Sequence, residues 1–287
     1  MTVAPIAVIG AGTMGRDIAY VAAVSGCRVQ LFDERPDAVS AALARVTELV
    51  DQGILRGKLK LADRDRVLDR VVRAATLQSA AGGVALVVEA IVEDVSAKRA
   101  VFAKLEQAAP SDALLATNTS SLSIAAIARG LREPARVVGM HFFNPVPAMR
   151  LVEVITQAET SHASVSRAVE FVRQLGKEPI VVKDSPGFAS SRLGVALGLE
   201  AMRMLEEGVA SAEDIDKAME LGYNHPMGPL KLTDLVGLDV RLAVAEYLYR
   251  ALEEPQFEPP RILRDKVAQG QLGKKSGRGF YAWPDRA

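Results

Sequence analysis

The sequence predicts two architectures in succession, an α/β sheet domain followed by an all-helical domain, on three observations. Short β-branched runs alternate with helical segments up to residue 182, which implies a mostly parallel sheet with helices on its faces. A glycine-rich turn joins the first run to the first helical segment. Strand signals stop after Lys183-Asp184-Ser185-Pro186-Gly187, a polar, turn-forming link.

Taken in order, Ile6-Ala7-Val8-Ile9 reads as a buried strand and residues 28–32 as the second. Runs at 84–88, 113–117, 137–140, 151–155 and 179–182 continue the series. The connection between Phe32 and Val84, about fifty residues, is longer than one crossover needs. Within it, residues 37–50 and 62–75 read as helices, with Gly53, Gly57 and the basic Arg56, Lys58 and Lys60 between them. This is a helical hairpin inserted in the sheet domain, and by composition it reads more readily as a solvated excursion than as a ligand site. Beyond Ser185, residues 188–207 form a long helix ended by Gly208. Ser211 is the N-cap of the next helix, and 230–251 and 261–269 supply two more. The predicted domains are therefore residues 1–184 and 185–287.

Of the 287 residues, 49% are apolar and 24% charged, the composition of an ordinary soluble globular protein. Lys plus Arg and Asp plus Glu number 35 each, so no global field favours nucleic acid or an anionic membrane. The single cysteine, Cys27, cannot form an internal disulfide or a multi-cysteine zinc site. No run of about 18 apolar residues suggests a membrane span. The N-terminal apolar stretch lacks a basic leader and is interrupted by Gly10-Ala11-Gly12, unlike a secretory signal. The expectation is a cytoplasmic protein that partners neither nucleic acid nor membrane.

Gly10-Ala11-Gly12-Thr13-Met14-Gly15 is a G-x-G-x-x-G between a strand and a helix, and a second strand ends on Asp33 eighteen residues later. In that context the pattern is a Rossmann-type dinucleotide fingerprint. Gly10 permits the tight turn, Gly12 lets the backbone approach a pyrophosphate, and Gly15 lets helix and strand pack closely. The phosphates then face the N–H groups of the helix N-terminus that Thr13 and Met14 open. Asp33 accepts the adenosine ribose hydroxyls and repels a 2′-phosphate, which favours NAD over NADP, although Arg35 nearby tempers this.

His141-Phe142-Phe143-Asn144-Pro145 follows one strand-like run, and Glu153 lies twelve residues on, inside another. A carboxylate among apolar residues is costly to bury unless paired, and the imidazole could pair with it. That contact would hold the ring in one tautomer, as a general base requires. On spacing alone, two ordinary residues that never meet is an equal reading. A dinucleotide site plus a histidine base suggests alcohol oxidation, because hydride leaves carbon only as the hydroxyl proton is removed. The Tyr-x-x-x-Lys pair of short-chain dehydrogenases is absent, and zinc alcohol dehydrogenases need cysteines this chain lacks, so no metal is expected. His162 reads as surface and His225, before Pro226, as structural.

Seven motifs run nearly end to end. They are the glycine fingerprint, Val87-Val88-Glu89-Ala90-Ile91-Val92-Glu93, Asn118-Thr119-Ser120-Ser121-Leu122, His141-Phe142-Phe143-Asn144-Pro145, Lys183-Asp184-Ser185-Pro186-Gly187-Phe188, His225-Pro226-Met227-Gly228-Pro229, and Gly273-Lys274-Lys275-Ser276-Gly277-Arg278-Gly279-Phe280-Tyr281. In this order they resemble the 3-hydroxyacyl-CoA dehydrogenases of the 3-hydroxybutyryl-CoA type. The resemblance implies NAD-dependent oxidation of an (S)-3-hydroxyacyl-CoA to the 3-oxoacyl-CoA. It makes His141 the base, Glu153 its orienting partner, and Ser120 a contact to the reacting oxygen and the nicotinamide. It implies cofactor contacts at Glu93, Lys98, Asn144 and Lys275, a CoA-holding role for the basic hairpin, and a homodimer through the helical domain, which also closes one side of the cleft. Without that motif Lys98 would read as a solvated helix face and Ser120 as a helix N-cap.

One departure stands in Ser190-Ser191-Arg192. The family usually has asparagine where this chain has Ser191, and that amide contacts the substrate's carbonyl region. The resemblance therefore implies altered substrate preference with the base intact. The rivals are a dehydrogenase of a non-CoA 3-hydroxy acid, such as a sugar acid, and a protein that binds NAD without chemistry.

Overall fold

A computed structural model describes residues 5–283, so residues 1–4 and 284–287, the outer ends of the two expected domains, lie outside the described residues. The chain divides into two compact units, the first ending at Asp184 and the second beginning at Ser185.

The first unit runs β1 (Ile6–Ile9), α1 (Thr13–Val24), β2 (Val29–Phe32), α2 (Pro36–Leu55), α3 (Arg64–Leu68), β3 (Val71–Arg73), α4 (Leu77–Ala81), β4 (Leu86–Glu89), α5 (Val95–Ala108), β5 (Leu114–Thr117), α6 (Ile124–Ala128), β6 (Val137–Phe142), β7 (Leu151–Thr156), α7 (His162–Gln174) and β8 (Glu178–Lys183). The strands form one sheet in the order β3-β2-β1-β4-β5-β6-β7-β8. All neighbours pair parallel except β6 and β7. The first six strands thus follow the doubly wound Rossmann order, whose ligand crevice opens beside β1 and β4, where the direction of winding reverses. β1, β4 and β5 are buried at every position, because helices cover both faces and their side chains have no wet side. α7 shows how the covering works: Ala168, Phe171, Val172 and Leu175 recur at helical spacing, and all four are buried in the core.

The insertion after Asp33 differs in detail from the sequence reading. Its first helix extends to Leu55 and takes in Gly53, while the second is only five residues long. Residues 71–73, expected as helix, form β3 and pair with β2 at the sheet edge. Two β-branched valines beside an open strand edge outweigh a short helical pattern. α2 buries Val39, Ala42, Val46 and Val50 in the core, while Leu55 and Leu61 at the tip are exposed.

The second unit contains α8 (Ser190–Glu206), α9 (Ala212–Gly222), α10 (Pro229–Val236), α11 (Leu238–Leu252) and α12 (Arg261–Ala268). The Ser211 hydroxyl accepts the Asp214 N–H and caps α9 as expected. The single helix expected over 230–251 is two, broken at Gly237, whose φ of +104° no ordinary helix accommodates. Val195, Leu199, Met202, Leu238 and Leu248 centre this unit's own core. Its tail is tied down by the Asp234 carboxylate, which accepts the Phe280 and Tyr281 N–H groups and the Trp283 indole N–H at 2.8–2.9 Å. No helix among the described residues is long and apolar enough to cross a membrane.

Candidate active site

The carboxyl ends of β1, β4, β5 and β6 carry the chemistry-bearing residues of the first unit. After β1 the chain turns through Gly10 at a φ of +103°, where a Cβ would meet the Ala90 carbonyl oxygen at 2.5 Å. A Cβ on Gly15 would collide with the Gly10 carbonyl, so α1 can start this close to β1 only with glycine there. At Gly12 an added Cβ would meet nothing within 4 Å, which leaves the backbone open to a ligand. The N-cap of α1 has no side-chain hydrogen bond, so its first turn, opened by Thr13 and Met14, presents donors and a positive dipole end. This cradle fits a dinucleotide pyrophosphate. Asp33 sits beside it and accepts the Ala11 N–H at 2.8 Å and the Arg35 N–H at 2.9 Å. The Arg35 guanidinium is largely solvent-exposed, 3.9 Å from that carboxylate.

Two carboxylates organise the ends of β4 and β5. Glu89 is fully buried and accepts the Ile91 N–H at 2.7 Å, the Thr117 hydroxyl at 2.6 Å and the Lys98 ammonium at 2.8 Å. Lys98 is equally buried, so the reading of Lys98 as a solvated helix face is corrected: α5 turns it inward against the buried Glu89 carboxylate, which pairs with it. Its Nζ also lies 3.5 Å from Glu93. Glu93 in turn accepts the Thr119 hydroxyl and the Ser120 N–H, the latter at 3.0 Å. Lys98, Glu93 and Ser120 are therefore brought into one cluster. The alternative of Ser120 as a helix N-cap fails, because Ser123 caps α6 by accepting the Ala126 N–H.

His141 lies inside β6, one residue from its end, rather than just beyond a strand. The antiparallel register sets it directly opposite Glu153 on β7. The two side chains meet at 2.7 Å, His141 Nδ1 to Glu153 Oε2, with Glu153 fully buried and His141 7% exposed. A carboxylate in its ionised form only accepts, and against such a partner Nδ1 donates and Nε2 is left as the acceptor nitrogen. The Phe143 ring packs against the imidazole at 4.3 Å between centroids. Asn144, exposed, follows at the mouth of the loop before β7, and Asn118 Oδ1 accepts the Phe142 N–H at 3.0 Å, fixing the end of β6 to the end of β5. Lys177 anchors that loop from below, donating to the Val146 and Met149 carbonyls at 2.6 Å each, and burial holds its pKa below the usual lysine range.

In the second unit, Lys275 pairs with Asp239 at 2.6 Å. Ser191 lies in the first turn of α8, half-buried. His162 is exposed. Sequence reasoning passed over Glu89, Thr117 and Lys177. A glutamate closing an otherwise apolar strand, Leu86-Val87-Val88-Glu89, was the available signal for the first of these.

A cradle for a dinucleotide after β1 and an imidazole held by a carboxylate on β6, in one Rossmann sheet, define a nicotinamide-dependent dehydrogenase. Residues 5–185 match the 3-hydroxyacyl-CoA dehydrogenase NAD-binding domain and residues 187–283 that family's C-terminal domain. The chain belongs to the 3-hydroxyacyl-CoA dehydrogenase family, and its cofactor is NAD. It is 41% identical to a 3-hydroxybutyryl-CoA dehydrogenase of Mycobacterium tuberculosis, over 97% of this chain and 98% of that one. It is also 41% identical to a probable 3-hydroxybutyryl-CoA dehydrogenase of Bacillus subtilis, over 100% of this chain and 99% of that one. The crystal structure of (S)-3-hydroxybutyryl-CoA dehydrogenase from Ralstonia eutropha superposes with a TM-score of 0.94 at 39% identity, covering 99% and 100% of the two chains.

Proposed function

We propose that this enzyme interconverts a short-chain (S)-3-hydroxyacyl-CoA and its 3-oxoacyl-CoA, with His141 as the general base and Glu153 as its orienting partner. The observation that carries the reading is the 2.7 Å contact between two buried side chains in direct register on adjacent strands. NAD, when bound, supplies the hydride acceptor. His141 Nε2 takes the proton of the substrate hydroxyl, and the Glu153 carboxylate stabilises the cation that forms. Ser120, steadied through its own N–H by Glu93, hydrogen-bonds the reacting oxygen. Gly10, Gly12, Thr13, Met14 and Gly15 hold the pyrophosphate, Asp33 the adenosine ribose, and Glu93 and Asn144 the nicotinamide side. Lys98 acts by holding Glu93 from its buried pair with Glu89. Lys275 is the remaining cofactor contact that the resemblance implies, and the basic hairpin around Lys58 takes the CoA moiety.

The relatives named for 3-hydroxybutyryl-CoA support the short acyl chain. A non-CoA hydroxy acid remains the second substrate class to test. Exposed apolar side chains on the mutually packed α8, α10 and α11, among them Leu193, Leu232 and Val240, support a homodimer through the helical unit. The reading also places the enzyme in the cytoplasm, where NAD and CoA thioesters meet. The deciding experiment follows NADH consumption with acetoacetyl-CoA, with NADPH and a free 3-oxo acid as comparison arms. Turnover with NADH and the CoA thioester is expected, and His141→Ala loses roughly 10²–10⁴ of it while NAD binding is kept. Turnover of the free acid alone would overturn the substrate assignment. An undiminished His141→Ala would overturn the base.

A further inference from the structure

We propose that Asp184 is a positioning residue for the reaction: its carboxylate fixes the downstream end of the loop that carries Ser120, and turnover depends on it through Ser120. The inference deepens the function proposed above and rests on the role given there to Ser120. It gives the Lys183-Asp184-Ser185-Pro186-Gly187 motif a part beyond linking the two units.

Ser120 lies midway along the loop between β5, which ends at Thr117, and α6, which starts at Ile124. It is exposed, so packing does not hold it in place. Hydrogen bonds must do so from the two ends of the loop. Upstream, Glu89 accepts the Thr117 hydroxyl at 2.6 Å and Glu93 accepts the Thr119 hydroxyl. Thr119 Oγ1 in turn accepts the Ser121 and Leu122 N–H groups at 3.3 and 3.0 Å.

Downstream, the loop ends on α6, and a helix of five residues is too short to hold its own place. Its first N–H groups have no partner within the helix. Ser123 Oγ accepts the Ala126 N–H at 3.2 Å. Asp184 Oδ2 accepts both the Ser123 hydroxyl at 2.8 Å and the Ala125 N–H at 2.9 Å. Ser123 already caps α6, so the second acceptor, 61 residues on in sequence, decides where the helix starts rather than whether it forms. Asp184 is a firm post for this. It follows directly on β8, and its own N–H donates to the Thr156 carbonyl at 2.8 Å, where β7 and β8 finish pairing. From α5, Arg99 steadies α6 by donating to the Ala126 carbonyl at 3.0 and 3.2 Å. The influence of Asp184 on Ser120 therefore runs through the short segment Ser121-Leu122-Ser123. A reacting group displaced by about 1 Å can cost about 10²-fold in rate.

The test uses the full chain with NADH and acetoacetyl-CoA. Asp184→Ala should lower kcat about 10–100-fold, while KM stays within about 3-fold and NAD affinity by calorimetric titration is kept. Asp184→Asn offers an amide oxygen to the same two donors and should stay within about 3-fold of wild-type turnover. The deciding readout is a cycle with Ser120→Ala: once that hydroxyl is gone, Asp184→Ala should cost no more than about 3-fold further. A carboxylate that serves stability alone would cost its full factor in both backgrounds, and such additivity overturns the proposal. So does a kcat for Asp184→Ala within about 3-fold of wild type. If Asp184→Ala does not fold, Ser123→Ala enters the cycle in its place, because it removes one of the two donors that Asp184 accepts. It should lose about 5-fold or more in kcat only while Ser120 is present, and a loss that persists without Ser120 overturns the proposal equally. Failure of the underlying function would appear differently, as no turnover by the wild type. An undiminished Ser120→Ala would withdraw the role of Ser120 and this proposal with it.

Discussion

The His141–Glu153 contact works as a unit because each residue answers a different need. The carboxylate requires a donor to lie buried at all, and the imidazole requires a fixed tautomer to present Nε2. Glu153→Gln keeps the shape and removes the charge. Turnover should fall nearly as far as in His141→Ala, because the ring loses the carboxylate that orients it. Steady-state rates of the purified variant, with its NAD affinity as control, check this. Glu89 and Lys98 make a second buried pair, with a structural consequence. Lys98→Met should cost about 3–5 kcal/mol in urea unfolding by leaving the buried Glu89 without its counter-ion. Adding Glu89→Gln should recover much of that loss, since the orphaned charge is then gone. Ser191 is open to direct comparison: Ser191→Asn and Ser191→Ala should differ from wild type in their ranking of short against long acyl-CoAs, and identical rankings would remove its substrate role.

At the level of elements, the glycine turn separates folding from binding. Gly10→Ala forces a side chain to a φ of +103° and into the Ala90 carbonyl, so it should lower both stability and NAD affinity. Gly12→Ala meets no protein atom within 4 Å, so its stability should stay within about 0.5 kcal/mol of wild type. Its methyl group nevertheless occupies the approach to the pyrophosphate, and NAD affinity should drop. Calorimetric titration alongside thermal melting distinguishes the two. β3 and the break at Gly237 show where local reading failed. Val71 and Val72 carry too short a signal to declare a strand before a partner edge is present, and the apolar pattern of residues 230–251 continues through Gly237 although the backbone does not.

At the scale of the molecule, each unit has a core of its own, one around the sheet and one among α8 to α11. The first unit also contains the glycine turn, Asp33, His141 and Glu153. Residues 1–184 expressed alone should fold cooperatively and bind NAD, which a thermal melt and a calorimetric titration of that fragment check. Light scattering should show the full chain as a dimer, and Leu193→Glu with Val240→Lys should yield monomers, because charges placed in the proposed interface of these exposed apolar side chains would lack partners.

Local chemistry made much of this legible in advance. The strand–glycine–helix–Asp33 order, the switch from sheet to helices near Ser185, and the types of the site residues are properties of short segments. Backbone sterics and apolar periodicity act within a few residues, so the chain itself determines them. Whether His141 and Glu153 touch was a different matter, because it depended on the register of β6 against β7, which one residue of slip would have undone. The inward turn of Lys98 onto Glu89 likewise belongs to packing, since the burial that makes the pair necessary is decided by segments distant in sequence.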